Sequence, residues 1–222
     1  MKSPLICLFR LLTVMFLAVG GSAQAVPVSI VNASFESPVL SEGGFTSLAP
    51  PGWACLGDVI SCGAFHPSSQ FPQGVSNGAN VGYSNGGGLS QILSSVLTGN
   101  TLYTLMVDAL SRTDGYTSAG GYTLQLMTSS GFILATSHIS TPAAGTDATL
   151  ITSFFANATD SHLGQLLRID LVSLGASARQ SDWDNVQLDA TARGAVVPEP
   201  ESLALLLIGV VALAARRRRK FK

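Results

Sequence analysis

The stretch Thr101-Leu-Tyr-Thr-Leu-Met-Val-Asp-Ala109 decides the fold class. Within it Tyr103, Leu105, Val107 and Ala109 alternate with Leu102, Thr104, Met106 and Asp108. A period of two sends the first set to one face of a β-strand and gives that face to a core. Tyr122, Leu124 and Leu126 alternate with Thr123, Gln125 and Met127 in the same way. Further outward, short strand-like runs fall at 28–35, 80–84, 89–93, 132–137, 149–156, 166–172 and 183–188, punctuated by Gly, Ser, Thr, Asn and Pro. Ser129-Ser130-Gly131 suits a hairpin between two of them. Nine short strands so spaced predict an all-β protein, a two-sheet β-sandwich. The least regular part, 37–88, either carries binding loops or merely connects strands.

Both ends depart from this pattern. Lys2 and Arg10 precede a run from Leu11 to Val19 that is apolar except for Thr13, and Ala23-Gln24-Ala25 follows as a small-residue cleavage site. Residues 1–25 therefore read as a signal peptide cut after Ala25. At the other end stand Pro198-Glu199-Pro200, an uncharged run at 203–215 and a basic tail at 216–222. As a helix that run is about 20 Å long, against a hydrocarbon core of about 30 Å. It is short for a permanent anchor, and the basic tail after it is predicted to stay cytoplasmic. The sandwich is thus expected over 26–189, with a linker at 190–197 and the sorting tail at 198–222.

The net charge of −1 over 222 residues conceals an asymmetry. Between residues 26 and 197 there are four arginines, no lysine and eleven acids, a net charge of −7. Such a domain has no basic footprint for nucleic acid. It suits a neutral glycan, a cation or solubility outside the cell. Cys55 and Cys62, with six residues between them, stand either as one disulfide or as two thiols, and export favours the disulfide. With His66 alone nearby they make no recognisable zinc set. There is no His-Glu-x-x-His, and His66, His138 and His162 lack metal-ligand spacing. Gly86-Gly87-Gly88 lacks the Lys of a phosphate loop and reads as a turn. Asp182 and Asp184 fall on one strand face, but two acids alone do not define a glycosidase.

Two resemblances add to this reading. Val197-Pro198-Glu199-Pro200-Glu201-Ser202, the uncharged run with Gly209 inside it and the basic cluster from Arg216 resemble a PEP-CTERM sorting signal. That resemblance implies a substrate of an exosortase in a Gram-negative bacterium, with Pro198, Glu199 and Pro200 as the recognition motif. The precursor would be held transiently in the inner membrane by its C-terminal helix, then reach the cell surface or the medium, in association with exopolysaccharide and biofilm. Two prolines keep such a motif extended for a protease. The second resemblance joins Val31-Asn32-Ala33-Ser34-Phe35-Glu36-Ser37-Pro38, Pro51-Gly52-Trp53 and Trp183-Asp184-Asn185-Val186-Gln187-Leu188. Together they are similar to galactose-binding-like jelly rolls, including carbohydrate-binding modules.

This second resemblance implies a structural calcium held by Glu36 and Asp184, with carbonyl oxygens completing the shell and the Asn185 amide as a further donor. The competing reading has both acids hydrogen-bonded with no metal. Trp53 either stacks on a sugar or plugs the sandwich. No other cofactor is expected. The expected function is that of a non-enzymatic surface or matrix protein; a calcium-stabilised lectin-like module and a polysaccharide hydrolase are the alternatives.

Overall fold

Alternation becomes pairing in the computed structural model, which describes residues 24–57, 62–175 and 179–193. The expected signal helix, the Pro198-Glu199-Pro200 motif and the helix at 203–215 lie outside those residues. Among the described residues the strands are β1 (Ala25–Pro27), β2 (Ala54–Leu56), β3 (Cys62–Phe65), β4 (Val81–Asn85), β5 (Gly88–Val96), β6 (Thr101–Leu110), β7 (Tyr122–Thr128), β8 (Ile133–Ile139), β9 (Asp147–Ala156), β10 (Leu166–Ser173) and β11 (Gln180–Ala192). One sheet runs β3-β4-β11-β6-β9, with β1 also on β11; the other runs β2-β5-β10-β7-β8. All of these strand pairs are antiparallel. The protein is a two-sheet β-sandwich of jelly-roll type.

The core is the interleaf between the sheets. Tyr103, Leu105, Val107 and Ala109 of β6 face Leu124 and Leu126 of β7 and Ile169 and Leu171 of β10, all in one buried cluster. Each such aliphatic or aromatic side chain contributes about 1.5–3 kcal/mol through removal from water. Trp183 is the largest wholly buried side chain and stands edge-on to Tyr122, with centroids 5.9 Å apart. A smaller apolar cluster of Phe65, Phe71, Val81, Tyr83 and Leu110 forms apart from this core.

Strand β11 sets the positions of both sites described below. Its register with β6 shifts between Asp184 and Gln187, where Asn185 takes φ 54. Asn tolerates that left-handed conformation, so one extra residue is accommodated as a bulge. Trp183 and Val186 therefore both reach the core, while Gln180, Asp182 and Asp184 share the opposite face at one end of the strand.

Three expectations need correction. Residues 28–35 are not a strand: a turn spans 31–34, with Asn32 at φ 52 and Phe35 at φ 58. The Asn32 side chain accepts from the Ser37 N–H and donates to the Ser37 carbonyl, and the Gln91 side chain bonds both backbone groups of Val31. These side chains take the place of a strand neighbour. Inside the stretch read as irregular, β2 and β3 form beside the expected strand at 80–84, which is β4. Strand β11 also runs past Asp189, because Ala190, Thr191 and Ala192 keep their register with Tyr103, Leu102 and Thr101. The compact unit accordingly ends at Arg193, inside the expected linker.

Cys55 of β2 and Cys62 of β3 form the disulfide, and so tie an edge strand of one sheet to an edge strand of the other. Its loop is small, so the chain-entropy model assigns it roughly 2–3 kcal/mol. Chemical denaturation with and without reductant should show a loss of that size, and mass spectrometry of the unreduced protein should find no alkylatable thiol at either position. Two free thiols would contradict the linkage.

Candidate functional site

The outer face of the β3-β4-β11-β6-β9 sheet gathers two constellations at the Gln180 end of β11. The first is acidic. Glu36 Oε1 accepts from the N–H groups of Ala79 (2.9 Å) and Asn80 (2.8 Å). Asp184 Oδ2 accepts from Asn77 N–H and its Oδ1 from Asn185 N–H, each at 2.6 Å. One loop, 77–80, thus grips both carboxylates, although 148 positions separate them in the chain. Gly78 is required in that loop: its φ is +81, and an added Cβ would lie 2.4 Å from the Glu36 carboxylate. Asp108 lies close by, accepting from Thr149 Oγ1 (2.6 Å) and Asn185 Nδ2 (3.0 Å).

Burial pushes the Asp184 carboxyl up to about 7; the Asn77 and Asn185 N–H groups oppose this, and the charges of Glu36 and Asp108 add to it. Asn80 Oδ1 is buried with no hydrogen-bond partner among the described residues. Two hard carboxylates and an orphaned amide oxygen fit calcium and not a soft-ligand metal. The Asn185 amide oxygen accepts from Gln187 Nε2 at 2.7 Å, which leaves it one further lone pair. Among the described residues, no group of three or more His, Cys, Asp or Glu side chains forms a metal cluster. Backbone and amide oxygens would have to complete any shell around Glu36 and Asp184.

The second constellation is an aromatic cavity of about 340 Å³ beside it. Phe65 of β3 and Tyr83 of β4 form its wall, with Phe45 bridged to Phe65 across the rim. Thr46 fixes this wall, pairing with Ala64 through backbone and hydroxyl and accepting from the Tyr83 hydroxyl at 2.5 Å. Arg112 and Tyr116, from the segment after β6, close the other side. The Arg112 guanidinium lies 5.1 Å from the Phe65 ring centre and 5.5 Å from that of Tyr116. It also bonds Asp114 through Nε and Nη2, at 2.5–3.2 Å, and these bonds hold Asp114 below its ordinary carboxylate range.

Behind the cavity wall lies Asp182, wholly buried. Gln180, which lines the cavity, donates to its Oδ1 at 2.6 Å, and its Oδ2 has no hydrogen-bond partner among the described residues. Burial raises its carboxyl to about 7; the Gln180 hydrogen bond and the Arg112 charge pull the other way, and Asp114 adds to the rise. A carboxyl poised near neutrality one hydrogen bond behind an aromatic cavity can hold or deliver a proton.

Glu36 and Asp184, chosen from the sequence, do meet. Trp53 is placed in the core: it is 6% exposed, its ring lies 5.1 Å from Phe35, and its Nε1 donates to the Asn32 carbonyl. Its ring belongs to the main core cluster, whereas Phe65 and Tyr83 line the cavity. The cavity is not legible in the sequence because five separated segments build it. Its one visible trace was the Asp182-x-Asp184 alternation.

Fold and site together define a β-sandwich with a small aromatic cavity set beside an acidic, oxygen-rich cradle. The chain belongs to the HpiC1 cyclase family, whose model matches residues 26–189, and a PEP-CTERM protein-sorting motif matches 196–219. That motif marks the chain as an exported protein processed by an exosortase from a membrane-anchored precursor. Among solved structures it is similar to the Stig cyclase Fisc of Fischerella sp. TAU in complex with (3Z)-3-(1-methyl-2-pyrrolidinylidene)-3H-indole. The identity there is 29%, over 77% of this chain and 100% of that one, with a TM-score of 0.69. A cyclase from the same organism in complex with 4-(1H-indol-3-yl)butan-2-one is also 29% identical, over 76% and 100%, with a TM-score of 0.67. The MgGH51 α-L-arabinofuranosidase matches at 15% identity over 77% of this chain and 27% of that one, with a TM-score of 0.54, a likeness of fold alone. No match is found among curated proteins.

Proposed function

We propose that the exported sandwich is a binding protein for a flat aromatic small molecule of the indole class, held between Phe65, Tyr83 and Phe45. One observation carries this reading: the aromatic-walled cavity of about 340 Å³ on the outer sheet face. Its volume falls in the range of small-molecule sites, and ring faces reward a planar guest. Membership of a cyclase family with indole-bound relatives supports the ligand class. The sugar-binding alternative loses its stacking residue with Trp53 in the core. In this proposal the mature protein acts outside the inner membrane of a Gram-negative cell, at the surface or within exopolysaccharide. Titration calorimetry with 4-(1H-indol-3-yl)butan-2-one should give saturable binding that Tyr83→Ala weakens about tenfold or more. A response to xylo-oligosaccharides in place of the indole would sink the reading.

A second reading, catalysis, is favoured by Asp182. A proton lent by its carboxyl to the substrate, and taken back by the resulting carboxylate when the cyclised cation loses one, would make the cavity an acid-catalysed cyclase. Turnover of an indole substrate that Asp182→Asn abolishes while binding persists would select it over simple binding.

The acidic cradle supports a structural calcium held by Glu36 and Asp184, which would pin the 77–80 loop against β11. Chelation with EDTA should then lower the melting temperature by several degrees, calcium should restore it, and Asp184→Asn should abolish the response. An identical melting temperature in EDTA and in calcium would leave the two acids with a hydrogen-bonding role only.

A further inference from the structure

The sandwich holds few cations, and their placement is uneven. Of the four arginines between residues 26 and 197, Arg168 is bound to Asp170 and Ser90 on the other sheet, and Arg193 lies over Phe155 near the end of β11. The remaining two converge on a single ring at the mouth of the aromatic cavity. Arg112 lies 5.5 Å and Arg179 6.0 Å from the centre of Tyr116. Neither arrives by chance of a floppy side chain. Arg112 is fixed by Phe65 and Asp114, and Arg179 Nη1 donates to the Gly115 carbonyl at 2.5 Å. Asp114 is the acid bonded at this mouth; Asp182 is fully buried behind Gln180. Arg112 is balanced by Asp114 and by the buried Asp182, whereas Arg179 has no carboxylate partner among the described residues, so its guanidinium leaves an unpaired positive charge at the entrance of a domain whose net charge is −7.

We infer that the ligand of this cavity carries an anionic group, a carboxylate in the first instance, at its solvent-facing end, with Arg179 and Arg112 as the residues that select it. This inference rests on the aromatic-binding reading and adds a charge to it. The aromatic body of the ligand would sit against Phe65 and Tyr83, and its acid would point outward to the guanidinium pair. Arginine suits this task because its planar fork bonds a carboxylate while its face stays on Tyr116. Elsewhere the acidic surface repels anions, so the mouth would also orient an approaching ligand, acid group last to enter.

The test compares three indoles of one size on the purified full chain by calorimetry: indole-3-propionate as the anion, 4-(1H-indol-3-yl)butan-2-one as the neutral form and tryptamine as the cation. The expected order is anion tightest, by roughly tenfold over the ketone at low salt, and amine weakest; added salt should compress the spread. Arg179→Gln should reduce the anion-to-ketone ratio to about two, while Arg168→Gln, on the other sheet, should leave that ratio near ten. If the ketone binds and the carboxylate binds no better, or the amine binds best, the inference is overturned and the aromatic reading stands. If none of the three binds, both fall together.

Discussion

In EDTA the protein is expected to be more stable at about pH 5 than at about pH 8, and Asp182→Asn should remove much of that difference. Asp182 is wholly buried, and its carboxyl is raised to about 7 from an ordinary 3.8. Between those two values the folded chain keeps a proton that the unfolded chain has released. Stability therefore falls as pH rises through that window and levels off above the folded value. A shift of this size corresponds to about 4 kcal/mol as an upper figure. Asp184 acts in the same direction, with its carboxyl also raised to about 7. Asp114 acts in the opposite one: its lowered pKa contributes stability above the ordinary carboxylate range, lost as pH falls, and its exposure keeps that contribution small. Asp182→Asn can still accept from Gln180 without carrying a charge into the core, so at about pH 8 the variant should be the more stable protein. Urea titrations across the range would measure this. Stability that climbs steadily from about pH 5 to about pH 8 would contradict the assignment.

The second large effect is expected at Trp183. Replacement by Ala should cost about 3–5 kcal/mol, the usual range for emptying a buried aromatic site. Trp183 is 0% exposed and packs edge-on against Tyr122 across the interleaf. It stands on β11 between Asp182 and Asp184, whose side chains point to the opposite face. Loss of the indole would therefore loosen the strand that positions both the cradle and the cavity. Indole binding and any calcium response should fail together in Trp183→Ala, whereas Trp183→Phe should keep both at a smaller cost. Denaturation and binding assays on the two variants would check it; a Trp183→Ala protein with parental stability would mean that the core lies elsewhere.

The sandwich was legible where one strand face is buried and the other is not. Residues 101–109 alternate because β6 lies mid-sheet with Tyr103, Leu105, Val107 and Ala109 turned inward. It was illegible where side chains from far along the chain replace backbone pairing. Residues 28–35 look like a strand until Gln91, sixty positions away, bonds Val31. Strands β2 and β3 hold only three and four residues, too few to show a period. They are placed by pairing with β5 and β4 and by the Cys55–Cys62 link. Of the site, Glu36 and Asp184 could be named through a resemblance between distant motifs. The cavity could not, because Phe45, Phe65, Tyr83, Arg112 and Gln180 become neighbours only after β3, β4 and β11 have paired in one sheet and the segments carrying Phe45 and Arg112 have packed against them.

The most direct measurement of the central claim is a crystal structure of the protein grown with 4-(1H-indol-3-yl)butan-2-one. The account predicts the indole ring seated against Phe65 and Tyr83, with its side chain directed toward Arg112 and Tyr116. A cavity that stays empty at saturating ligand, or an indole bound on another surface, would contradict it.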